Sequence, residues 1–207
     1  MPRAKILTLV FVLLAVGCHR TTLTGEYVTV AADPRRDTEV ARERNGEAVG
    51  LMKREEFAEA EKVLKAALTA DVFFGPAHNN LGTVYYRQKK FYLAAWEFQY
   101  AAKLMLHSPE PRNNLGLVFE AVGRLDEAAK WYDEALAIEP DNPELIGNLA
   151  RTLVRSGYKD DRTRQVLSDL VMKDTRPDWV AWAREQLALI PHPQPQPANP
   201  DQPAPGQ

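Results

Sequence analysis

Small and large apolar residues return every 34 positions along this chain, with polar residues between them. When residues 41–176 are set in blocks of 34 without a gap, Ala48, Gly82, Gly116 and Ala150 share one column, and Leu51, Tyr85, Phe119 and Leu153 share another. Ala60, Ala94 and Ala128 form a third column, and Ala67, Ala101 and Ala135 a fourth. Small residues recur where two helices cross closely. Large ones fill the space between them, at Phe57, Phe91 and Leu125 and again at Leu64, Phe98, Tyr132 and Val166. Each block therefore predicts one pair of antiparallel helices. A pair this short cannot bury its apolar face alone, so it must stack on its neighbours into a continuous core. The fold class expected is all-α, a solenoid of four helix pairs.

The pattern predicts helices at 38–54 and 56–70, 76–88 and 91–106, 109–122 and 125–139, 143–156 and 161–172. Ser108-Pro109 and Asn142-Pro143 each offer a cap followed by proline at the first helical position, where the missing N–H is not needed. Gly123 and Gly157 stand where a helix must stop in a left-handed residue. A last helix at 177–190, with Trp179, Trp182, Leu187 and Ile190, would cover the open end of the fourth block, and Asp178 suits its N-terminal dipole.

The run Asn80-Leu81-Gly82-x-x-Tyr85, with Phe91, Ala94, Phe98 and Ala101, resembles the tetratricopeptide repeat. The next block resembles it more closely, with Asn114-Leu115-Gly116-x-x-Phe119, Leu125, Ala128, Tyr132, Ala135 and Pro140. The outer blocks depart from it. The first has Glu47 where the others have leucine, and the fourth puts Lys159, Arg162 and Asp169 in columns that should be apolar or small. The resemblance implies a right-handed superhelical α-solenoid with repeats at 41–74, 75–108, 109–142 and 143–176, a capping helix at 177–190, and a general protein-binding scaffold. Because the repeated residues are structural, function must be argued from what decorates the scaffold.

At the N-terminus Arg3 and Lys5 precede an apolar run, 6–16, that is too short to span a bilayer and has the order of an export signal. It ends Leu14-Ala15-Val16-Gly17-Cys18, which resembles the lipobox of bacterial lipoproteins, with Ala15 where leucine is more usual. The reading is a signal peptide at 1–17, lipidation at Cys18 and a tether at 18–37. The alternative is an ordinary signal peptide whose cleavage site sits beside a cysteine. Cys18 is the sole cysteine, so no intramolecular disulfide can form, and acylation would give an exported thiol a use. Two or three acyl chains would hold the chain at a membrane where one would not. His19 follows Cys18, without the aspartate that would support retention at the inner membrane, so the resemblance favours the outer membrane, facing the periplasm.

Residues 191–207 begin Pro191-His192-Pro193-Gln194-Pro195-Gln196-Pro197 and predict a proline-rich, extended tail. It reads either as a plain disordered tail or as a ligand for an aromatic groove in a partner or in peptidoglycan-associated machinery.

Catalytic chemistry leaves no mark. His19, His78, His107 and His192 lack partners at metal-ligand spacing, and there is no glycine-rich phosphate loop or nucleophile elbow. Glu55-Glu56 and Asp160-Asp161 fall at helix starts or connections, where surface or capping roles outweigh acid/base work. No enzyme, metal, cofactor or small-molecule substrate is expected. The formal net charge is −2, and loss of Arg3 and Lys5 with the signal would make it −4, which gives no attraction to nucleic acid.

What remains is recognition on the concave face, which the resemblance assigns to the first helix of each pair. One row of amides runs Asn45, Asn79, Asn113, and a second, one residue on, runs Asn80, Asn114, Asn148. An amide both donates to and accepts from a peptide backbone. The second row reads as well as a bond between repeats. Lys53, Arg87 and Arg155 share a column, with Arg151 one turn before Arg155, and Tyr86 adds an aromatic contact. The candidate partner-binding residues are thus Asn45, Asn79, Asn113, Tyr86, Arg87, Arg151 and Arg155. The family's carboxylate clamp uses lysines on these helices, and the column Ala41, Gly75, Pro109, Pro143 does not supply them, so an internal or folded segment is expected as ligand. The sequence thus reads as a lipid-anchored adaptor for a protein partner. In that respect it resembles pilotins, which help a pilus or secretion pore reach the outer membrane but tend to have more repeats. A passive spacer or self-associating envelope component is the alternative.

Overall fold

A computed structural model describes residues 36–191 of the chain. The signal peptide, Cys18, nearly all of the tether and the proline-rich tail lie outside the described residues. Within them the order is α1 (Thr38–Lys53), α2 (Phe57–Ala70), α3 (Gly75–Arg87), α4 (Phe91–Leu104), α5 (Glu110–Ala121), α6 (Leu125–Leu136), α7 (Pro143–Arg155), α8 (Asp161–Lys173) and α9 (Pro177–Ala188). Successive helices pack as hairpins, α1 on α2 through α7 on α8. The second helix of each pair packs on the first helix of the next, and α9 closes the array against α8 and α7. First helices also touch one another, α1 with α3 and α3 with α5, which makes theirs the inner face. This is an α-solenoid of tetratricopeptide type with a terminal capping helix.

Every helix is where the periodicity puts it, with ends displaced by at most a few residues. The punctuation differs in detail. Asn142 caps α7 as expected, its Oδ1 accepting from the N–H of Glu144 (3.0 Å) and Leu145 (3.3 Å). Ser108 does not cap α5, because its hydroxyl is turned to the Glu110 carboxylate and Pro109 already stands in helical geometry. Gly123 and Gly157 take the left-handed conformation, at φ 78° and 80°. Glu55 and Lys89, which occupy the same column, take it too at φ 60°, so the tight turn repeats even where no glycine supports it.

The core is built from the small and large columns. Ala48, Ala60, Ala67, Ala94, Ala101, Ala128, Ala135 and Ala150 are fully buried, as are Leu64 and Tyr132. Gly82 and Gly116 lie at the closest crossings, where an added Cβ would come 2.7 Å from the Phe98 ring and 2.4 Å from the Tyr132 ring. The column therefore needs glycine only where its neighbour is aromatic. In the first repeat the column of Phe98 and Tyr132 holds Leu64, buried in one cluster with Ala48, and the small position carries a methyl group.

The period breaks once. In α8 the fully buried residues are Thr163, Leu167 and Leu170, each one position after the columns of Ala128, Tyr132 and Ala135. Helix α8 starts at Asp161 rather than at Lys159, which would correspond to the start of α6. The connection after Gly157 is longer and Asp160 caps α8, accepting from the Thr163 N–H at 2.8 Å. Arg162 and Asp169 look misplaced only because the register has moved; Val166, predicted as the large filler, is half-buried beside Leu167.

Gly116→Leu is expected to destabilise the array by more than about 1–3 kcal/mol, since the Tyr132 ring cannot yield without losing its own contacts. Ala48→Gly should cost about 1 kcal/mol from helix propensity alone. Thermal melts of the two variants against the parent chain check the ranking, and a Gly116→Leu chain that melts like the parent would contradict the packing described.

Candidate functional site

The inner face is assembled from α1, α3, α5 and α7, whose equivalent positions are brought into rows by the stacking. The two amide rows are not independent. Asn80 donates from Nδ2 to Asn45 Oδ1 at 2.8 Å, Asn114 to Asn79 at 3.0 Å, and Asn148 to Asn113 at 2.9 Å. Each bond joins one repeat to the next. The second row thus acts between repeats, and its partner is the first row. Asn45, Asn79 and Asn113 give up their carbonyl oxygens to this ladder, while their half-buried side chains keep Nδ2 on the inner face with no hydrogen-bond partner among the described residues.

The ladder runs into a charged cluster centred on Glu120, a residue that the repeat pattern does not single out. Glu120 is buried on α5. It accepts from the Tyr132 hydroxyl at 2.7 Å, from Arg155 at 2.6 Å and from Arg151 at 2.9 Å, while Arg151 also reaches Asn148 Oδ1 at 3.1 Å. Burial by itself pushes the Glu120 carboxyl up, but the bonds from Arg151 and Tyr132 and the two guanidinium charges outweigh it and hold the group below the usual carboxylate range. The Tyr132 hydroxyl moves the opposite way. Burial and the adjacent carboxylate keep it protonated, so that it remains a donor. The one signal in the sequence is a column reading Met52, Tyr86, Glu120, Val154, in which a single carboxylate stands among large apolar or aromatic residues.

Arg151 and Arg155 are therefore brought together, as their one-turn spacing suggests, but they share a buried counter-ion instead of standing open. Both remain partly exposed, Arg155 with half its side chain in solvent, and both border two clefts. One, of about 360 Å³, includes Tyr86, Leu117 and Ala121; the other, of about 380 Å³, lies against Trp179 and Trp182. Tyr86 is half-buried, edge-on to Phe91 with centroids 5.7 Å apart. Arg87 lies further along the face, bonded to Glu55 of the preceding repeat at 2.9 Å and stacked 4.9 Å above the Phe57 ring. The other edge of the inner face is acidic: a cleft of about 340 Å³ is bordered by Asn79 and Asn113 together with Glu110, Glu139 and Glu144. The face thus grades from carboxylates at the start of the first helices to guanidinium groups at their ends.

His78 has a structural role, with Nδ1 2.6 Å from Glu97 and Nε2 2.8 Å from the Val72 carbonyl. Among the described residues no three His, Cys, Asp or Glu side chains are grouped to hold a metal ion, and no helix is long and apolar enough to cross a membrane.

Removal of the Glu120 carboxylate in Glu120→Ala should destabilise the chain by about 1–3 kcal/mol, because the buried Tyr132 hydroxyl loses its acceptor. The depressed Glu120 group stabilises the fold above its unfolded value, and this contribution is lost as pH falls through the lower folded value. Glu120→Gln should accordingly melt with a shallower loss of stability on acidification below about pH 4.5. Melting temperature followed against pH tests this, and parallel curves for Glu120→Gln and the parent would refute the assignment.

Comparison with known proteins agrees with this geometry. A tetratricopeptide repeat model matches residues 45–110 and another matches residues 109–142. No curated protein sequence matches the chain. Among solved structures, the chain is similar to pilF of Pseudomonas aeruginosa (20% identity, 77% of this chain and 78% of that one, TM-score 0.62). It is also similar to YrrB, described as a TPR protein with an unusual peptide-binding site (21%, 72% and 76%, 0.60). A third likeness is the first TPR of Spaghetti (RPAP3) bound to the HSP90 peptide SRMEEVD (23%, 60% and 99%, 0.58). At these identities the likeness is one of fold. Repeats of this fold generally meet protein partners through a concave groove. With its repeat columns, its inner-face ladder and two matching repeat models in agreement, residues 45–142 carry tetratricopeptide repeats within an α-solenoid of that type.

Proposed function

We propose that this protein is a lipid-anchored adaptor at the periplasmic side of a bacterial outer membrane, whose inner face holds an extended segment of a protein partner during assembly of an envelope, pilus or secretion complex. The observation that carries the binding half is the row of amide donors at Asn45, Asn79 and Asn113. Their carbonyl oxygens are fixed by the next repeat, which orients Nδ2 at regular spacing and leaves it to donate to main-chain carbonyls of a ligand. Tyr86 and Arg87 lie alongside, and Arg151 and Arg155 border the groove further on. YrrB and the Spaghetti repeat, similar in fold, are described with a peptide-binding site and a bound peptide, which supports a segment as the ligand. Positions 41, 75, 109 and 143 hold Ala, Gly, Pro and Pro, so an internal segment suits this face better than a clamped chain end. The envelope role rests on the export signal and on Cys18, and the likeness in fold to pilF is in keeping with it.

The binding test should remove the donors without breaking the ladder. Asn79→Asp and Asn113→Asp keep an Oδ1 acceptor for Asn114 and Asn148 while replacing the donor with a second acceptor. Together they should weaken capture of partners from a detergent extract by roughly 1 kcal/mol or more per central contact, with circular dichroism unchanged. Recovery of the same partners by the double variant would eliminate the groove and leave a passive spacer.

The anchor is tested separately. Cys18→Ser should abolish incorporation of a clickable fatty acid and the accompanying membrane partitioning. A parent chain that stays unlabelled and in the soluble fraction would remove the lipoprotein reading while leaving the groove untouched.

A further inference from the structure

We propose that the cleft between α7 and α9 is a docking site for a proline-rich segment, and that its occupant is residues 192–207 of this same chain. The cleft, about 380 Å³, is lined by Val154, Trp179 and Trp182 with Arg151, Arg155 and Asp178 around them. Closing the end of a solenoid needs only apolar contact, which Ala183 and Ile190 of the α9 segment supply from fully or nearly fully buried positions with one part of Trp179 and Trp182 packed beside them. Trp179 and Trp182 are half-buried. They meet edge to face, with centroids 5.8 Å apart and planes at 77°, and form an angled aromatic wall. Arg176 and Arg151 lie 4.8 and 5.8 Å from the Trp179 ring centroid and hold it in place. Such a wall is the surface on which proline rings pack. A proline brings no N–H to desolvate and arrives with φ already fixed, so little conformational entropy is lost on docking.

The occupant is argued from chain connectivity and from charge. A second, smaller cleft, bordered by Val154, Gln186, Leu189 and Ile190, lies where the chain leaves α9, and it shares Val154 with the tryptophan cleft. Trp182 and Trp179 are 8 and 11 positions before Ile190, hence about 12 and 17 Å back along α9 at 1.5 Å per residue. Arg164 of α8 holds the Pro191 carbonyl, so the proposed route has first to round the end of α9. Residues 192–207 span about 50 Å if extended at 3.1 Å per residue, which leaves length to spare for that turn. They contain Pro193, Pro195, Pro197, Pro200, Pro203 and Pro205, and their one charged side chain that is not histidine is Asp201. The cleft offers the complementary set, an indole wall for the prolines and two guanidinium groups that share the single buried Glu120 carboxylate for Asp201.

The test compares the full chain, purified in detergent, with a chain ending at Pro191, by the indole Nε1–H signals of the four tryptophans. Ending the chain at Pro191 should shift the signals of Trp179 and Trp182 and leave those of Trp96 and Trp131 in place. A synthetic peptide of residues 192–207 added to the shortened chain should move them back, and the same peptide carrying Pro195→Ala and Pro197→Ala should need roughly tenfold more. Asp201→Asn in the full chain should reproduce part of the shift with the folded domain untouched. Signals of Trp179 and Trp182 that are identical in the full and shortened chains would overturn the proposal. So would a shift that accompanies a dimer lost on shortening, since the tail would then lie in a second copy. None of these readouts requires a captured partner, so they stand or fall apart from the adaptor reading.

Discussion

Among the described glycines, Gly116 leaves the least room for a side chain, because the Tyr132 ring is seated on its backbone, and much of the structure depends on that seat. A Cβ there would lie 2.4 Å from the ring, closer than any side chain tolerates. Because the atom is absent, α5 and α6 come close enough for Tyr132 to be fully buried with its hydroxyl on Glu120, one turn along α5 from Gly116. That bond, with two guanidinium groups, makes burial of the Glu120 carboxylate tolerable; without them desolvation would favour the neutral acid or exclude the group from the interior. Glu120 in turn draws Arg151 and Arg155 of α7 onto α5. The packing column and the charged inner face are thus one construction.

The same bonds restrain the side chains of the inner face. An isolated exposed arginine loses side-chain entropy when it binds, whereas Arg151 is already held by Glu120 and Asn148, and Asn148 by Asn113. Stacked repeats are stabilised by nearest-neighbour terms, and here these terms are polar as well as apolar. The three Asn–Asn bonds, the Arg87–Glu55 pair and the arginine bonds to Glu120 each cross from one repeat to the next. A groove built from such bonds arrives pre-organised, with spare donors aimed by bonds made elsewhere in the same side chain.

The fold is legible because a solenoid writes each contact several times. Ala48, Gly82, Gly116 and Ala150 announce one crossing four times over, and the left-handed turn is visible at Gly123 and Gly157. What happens once is hard to read. Glu55 and Lys89 adopt that turn without the residue type that advertises it, because stacking on either side imposes it. Glu120 is a single carboxylate in an apolar column, and nothing short of the placed Tyr132 and Arg151 explains it. The candidate residues of the inner face stand out in the sequence, but their pairings do not. Asn79 and Asn114 are 35 positions apart, one more than the period, so bonds between the amide rows cannot be seen by reading down a column. Cys18 and the tail, whose chemistry is local, are read from sequence alone.

The slip in α8 is informative because it falls at the end of the array. Advancing the buried set by one residue turns a helix by about 100° relative to its neighbours. An interior repeat could not accept this without losing contact with the next one. The fourth repeat is followed by α9, which follows no repeat column and needs only to match what α8 presents. Leu167 and Leu170 form one cluster with Ile146, Ala150, Ala183 and Ile190, and Trp179 and Trp182 flank it. Over α7, Gly147 lies beneath Trp179, where an added Cβ would come 3.1 Å from the ring. The small residue that admits a large neighbour thus recurs at the cap, now facing an indole. Trp179 is large enough to cover Gly147 and still reach the guanidinium groups of Arg151 and Arg176, so the device that packs the core also carries an aromatic surface to the edge of the inner face.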